Sequence, residues 1–218
     1  MKIELAIFDF DGTLADTCNT IVNTMQSTLR QMQLPVADTN TCKATIGLPL
    51  KSCFAQIYPQ LNDETLDKCA ATYRDIFNKN KTLIPPTLFP NVKDTLAELK
   101  QQGTTITIAS SRSSASLIEL SNVLGINRYI SYIVGADNVT NAKPSPEPVL
   151  QTLDALGMKA KDTIVVGDMP VDIIMGRNAG TLTCGVTYGN ASIQQLTDAG
   201  ADYIIDNISQ LLKLLPVK

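Results

Sequence analysis

The 218-residue chain contains no histidine. That excludes Ser-His-Asp and Cys-His nucleophile systems, and zinc held by imidazole. Any general acid or base must be a carboxylate, lysine, tyrosine or cysteine. Cysteine is sparse. The five residues Cys18, Cys42, Cys53, Cys69 and Cys184 are odd in number and show no CxxC spacing. They read as reduced thiols of a cytoplasmic protein rather than a disulfide framework. No block of Lys or Arg stands out, the net charge is −3 and the pI is near 5.0, so nucleic acid is not an expected partner. No apolar run reaches membrane-spanning length and no signal-peptide pattern opens the chain, so no membrane association is expected. What remains is 44% apolar residues, enough for a real core in one large domain or two unequal ones.

The most informative stretch is Leu5-Ala6-Ile7-Phe8-Asp9-Phe10-Asp11-Gly12-Thr13. An apolar run of strand length drives into two carboxylates one residue apart. Carboxylates at a buried sheet edge are costly unless a divalent cation or a lysine offsets them. An EF-hand loop also begins Asp-x-Asp, but it needs glycine at its sixth position and an acid at its twelfth. Here those positions are Leu14 and Thr20. A surface turn is disfavoured because the upstream run is too apolar.

Along the chain, Asp16-Thr17 offers helix-capping chemistry, and Ile21, Met25, Leu29 and Met32 recur at helical spacing until Pro35. Residues 40–46, 49–57 and 63–79 read as helices with no convincing strand among them. This helical block is expected to be an inserted small domain, residues 17–82, with 1–16 and 83–218 forming the other domain. Beyond Pro85-Pro86, Val92, Leu96 and Leu99 form a helical stripe stopped by Gly103. Strands at Thr105–Ala109, Tyr132–Gly135, Thr163–Val166, Thr181–Val186 and Tyr203–Ile205 then alternate with helices, including one through Leu150, Leu153 and Leu156. Two-sided apolar strands alternating with helices indicate an α/β fold with a Rossmann-like parallel sheet. Ligands of such sheets bind beyond the carboxyl ends of the strands. The polar clusters fall there: Asp9 and Asp11, then Ser110, then Lys143, then Asp168 and Asp172. Their coincidence points to a metal-phosphate site.

DFDGTLADT, Ser110 after an apolar strand, Lys143-Pro144 and Gly167-Asp168-x-x-x-Asp172 together resemble the four ordered motifs of the haloacid dehalogenase-like hydrolases. The likeness spans essentially the whole chain, and the helical block resembles that superfamily's α-helical cap. DGTLADT, Ile46–Leu50 and Tyr73-Arg74 are similar to its phosphoglycolate phosphatase and β-phosphoglucomutase branch. The resemblance implies an enzyme, a Mg²⁺-dependent phosphatase. Asp9 would be the nucleophile that forms an aspartyl-phosphate. Asp11 would protonate the leaving oxygen and then activate water. Asp9, the backbone carbonyl of Asp11 and Asp168 would hold Mg²⁺, with Asp172 behind them. Lys143 would offset the acids and grip phosphoryl oxygens, helped by the Ser110 hydroxyl, with Ser111 as a neighbouring rival. Four acids against one lysine leave the site incomplete without a cation.

The cap would close over the site, with Gly47 letting its backbone approach substrate and Arg74 a candidate for a substrate anion. The implied substrate is a small phosphorylated metabolite, phosphoglycolate or a sugar phosphate, and the implied state is a monomer or homodimer. Alternatives are a phosphomutase of the β-phosphoglucomutase type, an inorganic pyrophosphatase, a phosphonatase using Lys51 as a Schiff base, and a receiver-like phospho-accepting signalling module. Three departures from the family pattern stand out. Asn91 takes the place of a frequent glycine, Met169-Pro170 replaces a polar pair, and Ala-Ser-Ser-Arg replaces the Thr-Asn-Lys frequent in phosphoglycolate phosphatases.

Overall fold

The structure, a computed structural model, describes residues 3–214. The first strand, β1 (Leu5–Phe8), is buried at every position. Two short strands, β2 (Ala15–Asp16) and β3 (Thr87–Leu88), pair with each other as a separate ribbon. Between them in sequence lie the helices α1 (Cys18–Gln31), α2 (Thr39–Lys43), α3 (Leu50–Ile57) and α4 (Asp63–Leu83). Then follow α5 (Val92–Gln101), β4 (Thr105–Ala109), α6 (Ser114–Val123), β5 (Tyr132–Val134), α7 (Glu147–Leu156), β6 (Thr163–Gly167), α8 (Pro170–Asn178), β7 (Leu182–Val186), α9 (Ile193–Asp198), β8 (Tyr203–Ile205) and α10 (Leu211–Leu214). The chain folds into two compact units, one running through Ala15 and again from Leu88, the other spanning Asp16–Thr87. None of the described helices is long and apolar enough to cross a membrane.

The first unit is a six-stranded sheet in the order β5-β4-β1-β6-β7-β8, every pairing parallel. This is the expected Rossmann-like α/β core. Side chains alternate across β1, so Leu5 and Ile7 share one face with Ala109, Val165, Val149, Leu153, Met175 and Ala179. Helices α7 and α8 supply Val149, Leu153 and Met175, and Ala179 follows at the end of α8. The expected Leu150 stripe on α7 is displaced: Val149 is fully buried and Leu150 is 48% exposed. The helix turns its Val149–Thr152–Leu153 face to the sheet.

The register sets up everything that follows. Phe8 lies beside Ile108 of β4 on one side and Val166 of β6 on the other. Asp9, Ser110 and Asp168 are therefore the first residues, or nearly so, to leave the three central strands at one rim.

Between its strand-forming end residues Asp16 and Thr87, the second unit is helical. α1 and α4 pack along each other. Thr20, Thr24 and Thr28 sit buried on α1 because each hydroxyl donates to a backbone carbonyl: Ile84 for Thr20, Thr20 for Thr24, and Thr24 for Thr28. Asn80 Nδ2 donates to Thr24 Oγ1 at 3.0 Å. Phe54, Tyr73 and Phe77 form a ring cluster with centroids 6.0–6.2 Å apart. Asp38 caps α2, and Asn62 caps α4 by accepting from Thr65 N–H.

One local expectation is corrected. Asp16 does not cap α1; it lies exposed in β2, and Thr17 at the cap position makes no capping hydrogen bond. Its hydroxyl is buried without a partner among the described residues. The chain enters α1 through a strand-to-helix turn with Thr17 in the αR region, whereas a capping side chain needs an extended backbone. Asn91, by contrast, fits its place. It sits at φ 65°, in the left-handed region that glycine and asparagine tolerate best.

Candidate active site

The turn after β1 is built tightly. Asp9 N–H donates to Val166 O and extends the ladder by one residue. Leu14 and Ala15 N–H then both donate to Phe10 O, and Gly12 N–H donates to Ala15 O. Gly12 is required here twice over. Its φ is 93°, and a Cβ would lie 2.2 Å from Asp168 Oδ2. Gly189 approaches Asp168 as closely from the other side.

Asp9, Asp168 and Asp172 each offer a carboxylate oxygen, and these oxygens lie within 4.8 Å of one another. All three residues are buried. Lys143 Nζ donates to Asp9 Oδ1 at 2.6 Å and to Asp172 Oδ1 at 2.7 Å, with the lysine side chain only 2% exposed. The loop carrying Lys143 is pinned by Glu147, which accepts from Thr140 N–H, Asn141 N–H and Asn141 Nδ2. Asp172 has a second duty: its Oδ2 accepts from Met169 N–H, and Pro170 opens α8. The Met169-Pro170 departure is thus a helix start, since proline needs no N–H donor in the first turn.

Asp168 is held on both oxygens. Thr13 Oγ1 donates to Oδ1 at 3.2 Å, while Asn190 donates to Oδ2 from its backbone N–H at 2.8 Å and from Nδ2 at 2.7 Å. Tyr188 hydroxyl ties the same loop to Thr13 O at 2.9 Å.

Burial dominates the electrostatics. It drives the Asp9 carboxyl well above the usual range, with Lys143 pulling the other way. Asp168 is pushed up to about 7, first by burial and then by Asp172, against the hydrogen bonds from Asn190 and Thr13. Burial pushes the Lys143 ammonium down, but Asp172 and Asp9 outweigh it and its net shift is upward.

Asp11 stands apart. Its carboxylate is paired side-on with Arg112: Nη2 to Oδ1 at 2.7 Å and Nε to Oδ2 at 3.0 Å. It is not one of the three clustered carboxylates, so the expected metal role for Asp11 can rest only on its backbone carbonyl. Arg112 also corrects the charge count. The four acids face two cations rather than one lysine, leaving two formal negative charges.

Ser110 is buried at the end of β4, and its Oγ accepts from Arg112 N–H at 3.3 Å. Ser111 beside it is half-buried. Gly47 and Arg74 belong to the helical unit. Gly47 sits half-buried in the turn between α2 and α3, and Arg74 is exposed on α4. Lys51 is corrected. Its ammonium bridges Asp63 at 3.4 Å and Asp67 at 2.8 Å, and hydrogen bonding to Asp67 raises its pKa. A Schiff-base lysine needs the opposite shift.

Arg112, Thr13, Tyr188 and Asn190 escaped the sequence reading. The signal was there in part: Arg112 stands two residues past Ser110, and Tyr188-Gly189-Asn190 follows β7, where a parallel sheet keeps its site.

Residues 6–186 match the family model described as "Haloacid dehalogenase-like hydrolase". The chain belongs to the haloacid dehalogenase-like hydrolases. It is therefore an enzyme, a hydrolase, and the receiver-like alternative falls away. The chain is 38% identical over 210 residues to the Dickeya dadantii protein named "Probable phosphatase IndB", covering 95% of this chain and 91% of that one. It is 30% identical to "Pyrophosphatase PpaX" of Halalkalibacterium halodurans, over 100% of this chain and 99% of the relative. Among solved structures it resembles a predicted phosphatase from Clostridium acetobutylicum, with TM-score 0.89, 27% identity and 99% of each chain covered.

Proposed function

We propose that this hydrolase is a Mg²⁺-dependent phosphatase of a small phosphate monoester, working through an aspartyl-phosphate on Asp9. The observation that carries the reading is the division of two neighbouring carboxylates between two environments. Asp9 sits in the buried cluster with Lys143 on Oδ1, and no hydrogen bond among the described residues engages its Oδ2. Asp11, two residues on, is held outside that cluster. Paired carboxylates in unlike settings take unlike roles.

The donor set fits magnesium, which takes hard oxygens and keeps several waters. Asp9, Asp168 and the Asp11 carbonyl would hold it, with Asp172 behind them. Two residual negative charges are what one divalent ion balances. When bound, the ion would polarise the phosphoryl group and screen it from the acids.

Each of the chain's own residues then has a task. Asp9 Oδ2 attacks phosphorus as the bond to the leaving oxygen breaks. Asp11 gives that oxygen a proton, then takes one from the water that cleaves the aspartyl-phosphate, so both acids return to their starting state. Lys143 counters the burial of Asp9, favouring its ionised form, and neutralises phosphoryl oxygens. Ser110, whose oxygen already accepts from Arg112 N–H, can turn its proton to the same oxygens. Gly47 and Arg74, in the helical block expected at residues 17–82, are proposed as substrate contacts.

A second reading, inorganic pyrophosphate as substrate, is favoured by the full-length relationship to the protein named pyrophosphatase. Ranking phosphoglycolate, sugar phosphates and pyrophosphate by kcat/KM decides between the two. The mechanism is tested by Asp9→Asn, which should abolish turnover of an aryl phosphate with the fold intact by circular dichroism. Survival of activity to within about tenfold of wild type, roughly 1.4 kcal/mol of barrier, would remove Asp9 as nucleophile. EDTA should silence the wild type and Mg²⁺ restore it.

A further inference from the structure

The sequence assigns no role to Arg112, yet it is among the most firmly held side chains of the site. Its N–H reaches Ser110 Oγ, its carbonyl accepts from Ala136 N–H at 2.9 Å, and its Nη1 donates to Ser116 Oγ at 3.2 Å. The loop after β5 presses against this backbone so closely that a Cβ on Gly135 would lie 2.7 Å from Arg112 O. From this braced position the guanidinium grips both oxygens of Asp11, and the two side chains are only 11% and 13% exposed. A bidentate Arg–carboxylate pair fixes orientation as well as charge.

We propose that Arg112 is a positioning residue that aims Asp11 at the leaving-group oxygen and keeps its carboxylate out of the Asp9–Asp168–Asp172 cluster. This rests on the reading of Asp11 as acid and base. The competing role is a clamp on a second anionic group of the substrate, which the KM readout separates from positioning. Nε and one N–H of Nη2 engage Asp11 and one N–H of Nη1 engages Ser116, so these contacts fix the guanidinium on protein groups. In the proton step, the P–O bond breaks with its electron pair on the leaving oxygen. The proton of Asp11 moves to that oxygen, and the carboxylate left behind keeps Arg112 as its counter-ion. Without the fork, the Asp11 carboxylate would be free to rotate toward the Asp9–Asp168–Asp172 cluster, whose Asp9 stands two residues away.

The distinguishing readout is dependence on the leaving group. Proton donation matters for an alkoxide and little for a dinitrophenolate. Asp11→Asn should lower kcat on an alkyl phosphate by roughly 100-fold or more while sparing 2,4-dinitrophenyl phosphate. Arg112→Met should show the same selectivity at about tenfold, in kcat rather than KM. Arg112→Lys, which keeps the charge and loses the fork, should recover only part of it. In the Asp11→Asn background, Arg112→Met should add nothing, because both changes remove one unit. Thermal unfolding separates this from loss of fold, and Arg112→Gln, which retains a planar donor, serves if the methionine variant is unstable. Equal loss on both substrates, a loss confined to KM, or additivity with Asp11→Asn would overturn the inference. A leaving-group-independent Asp11→Asn would end the acid–base reading itself, and this inference with it.

Discussion

Cys184, fully buried in β7, and Cys53, buried on α3, show what burial does to a residue with no chemistry to perform. Burial pushes the Cys53 thiol from 9.0 up to about 11 and the Cys184 thiol up to about 12. Both therefore keep their protons in the native state at pH values where an unfolded chain has lost them. The sign follows: in this window the native state binds more protons than the unfolded state, so stability falls as pH rises through 9 toward 11 and 12, and is unaffected below about 8. Native protein at pH 8 should react slowly at these two cysteines with a disulfide reagent. The urea midpoint should fall above pH 9, less steeply in Cys184→Ala. Rapid labelling of both thiols in the folded protein would contradict the burial. Asp9 and Asp172 differ from these cysteines in sharing a cation. Asp9 and Asp172 tolerate the same burial because Lys143 lies between them.

At the scale of elements, caps and turns decide the boundaries. Asn62 accepts from Thr65 N–H at 2.9 Å, and Asp63 and Glu64 follow in the first turn, where the helix dipole favours acids. Asn62→Ala should cost about 1 kcal/mol, read as a shift of the urea midpoint with unchanged slope. No shift would mean that α4 draws its stability from packing alone. Features of this kind also explain what could be read in advance. The Rossmann-like sheet was legible because Ile7, Val165 and their neighbours are apolar on both faces. The placement of Asp9, Ser110 and Asp168 was legible because each directly follows such a strand, whereas Lys143 lies farther on, in the loop between β5 and α7. The two-residue strands β2 and β3 were not, since a pair of residues carries no period. Nor was Thr17, whose cap-like identity is overridden by the turn it sits in. Arg112 was visible as a residue but not as a partner. Its link to Asp11 spans 101 positions and depends on β1 and β4 lying side by side, which no local pattern encodes.

For the molecule as a whole, the site is a deliberate accumulation of buried negative charge that the fold alone does not balance. Four carboxylates face Lys143 and Arg112, and the three clustered ones have their oxygens within 4.8 Å of one another. Such repulsion subtracts from stability, and a bound cation would relieve it. Mg²⁺ at about 100 times its dissociation constant should add about 2.7 kcal/mol, or roughly 5–11 °C in the unfolding temperature of a chain this size. Asp168→Asn separates this from general salt effects. The amide oxygen can keep both Asn190 donors at the Oδ2 position while the Thr13 hydroxyl turns to accept from the amide nitrogen, so the fold should hold. Removing one charge should raise the metal-free unfolding temperature while most of the Mg²⁺ response disappears. Opposite signs in one variant are not expected of a mutation that merely loosens packing. Equal stabilisation by Mg²⁺ and by sodium chloride of matched ionic strength, or an Asp168→Asn variant that keeps its full Mg²⁺ response, would mean that these carboxylates do not form the cation site.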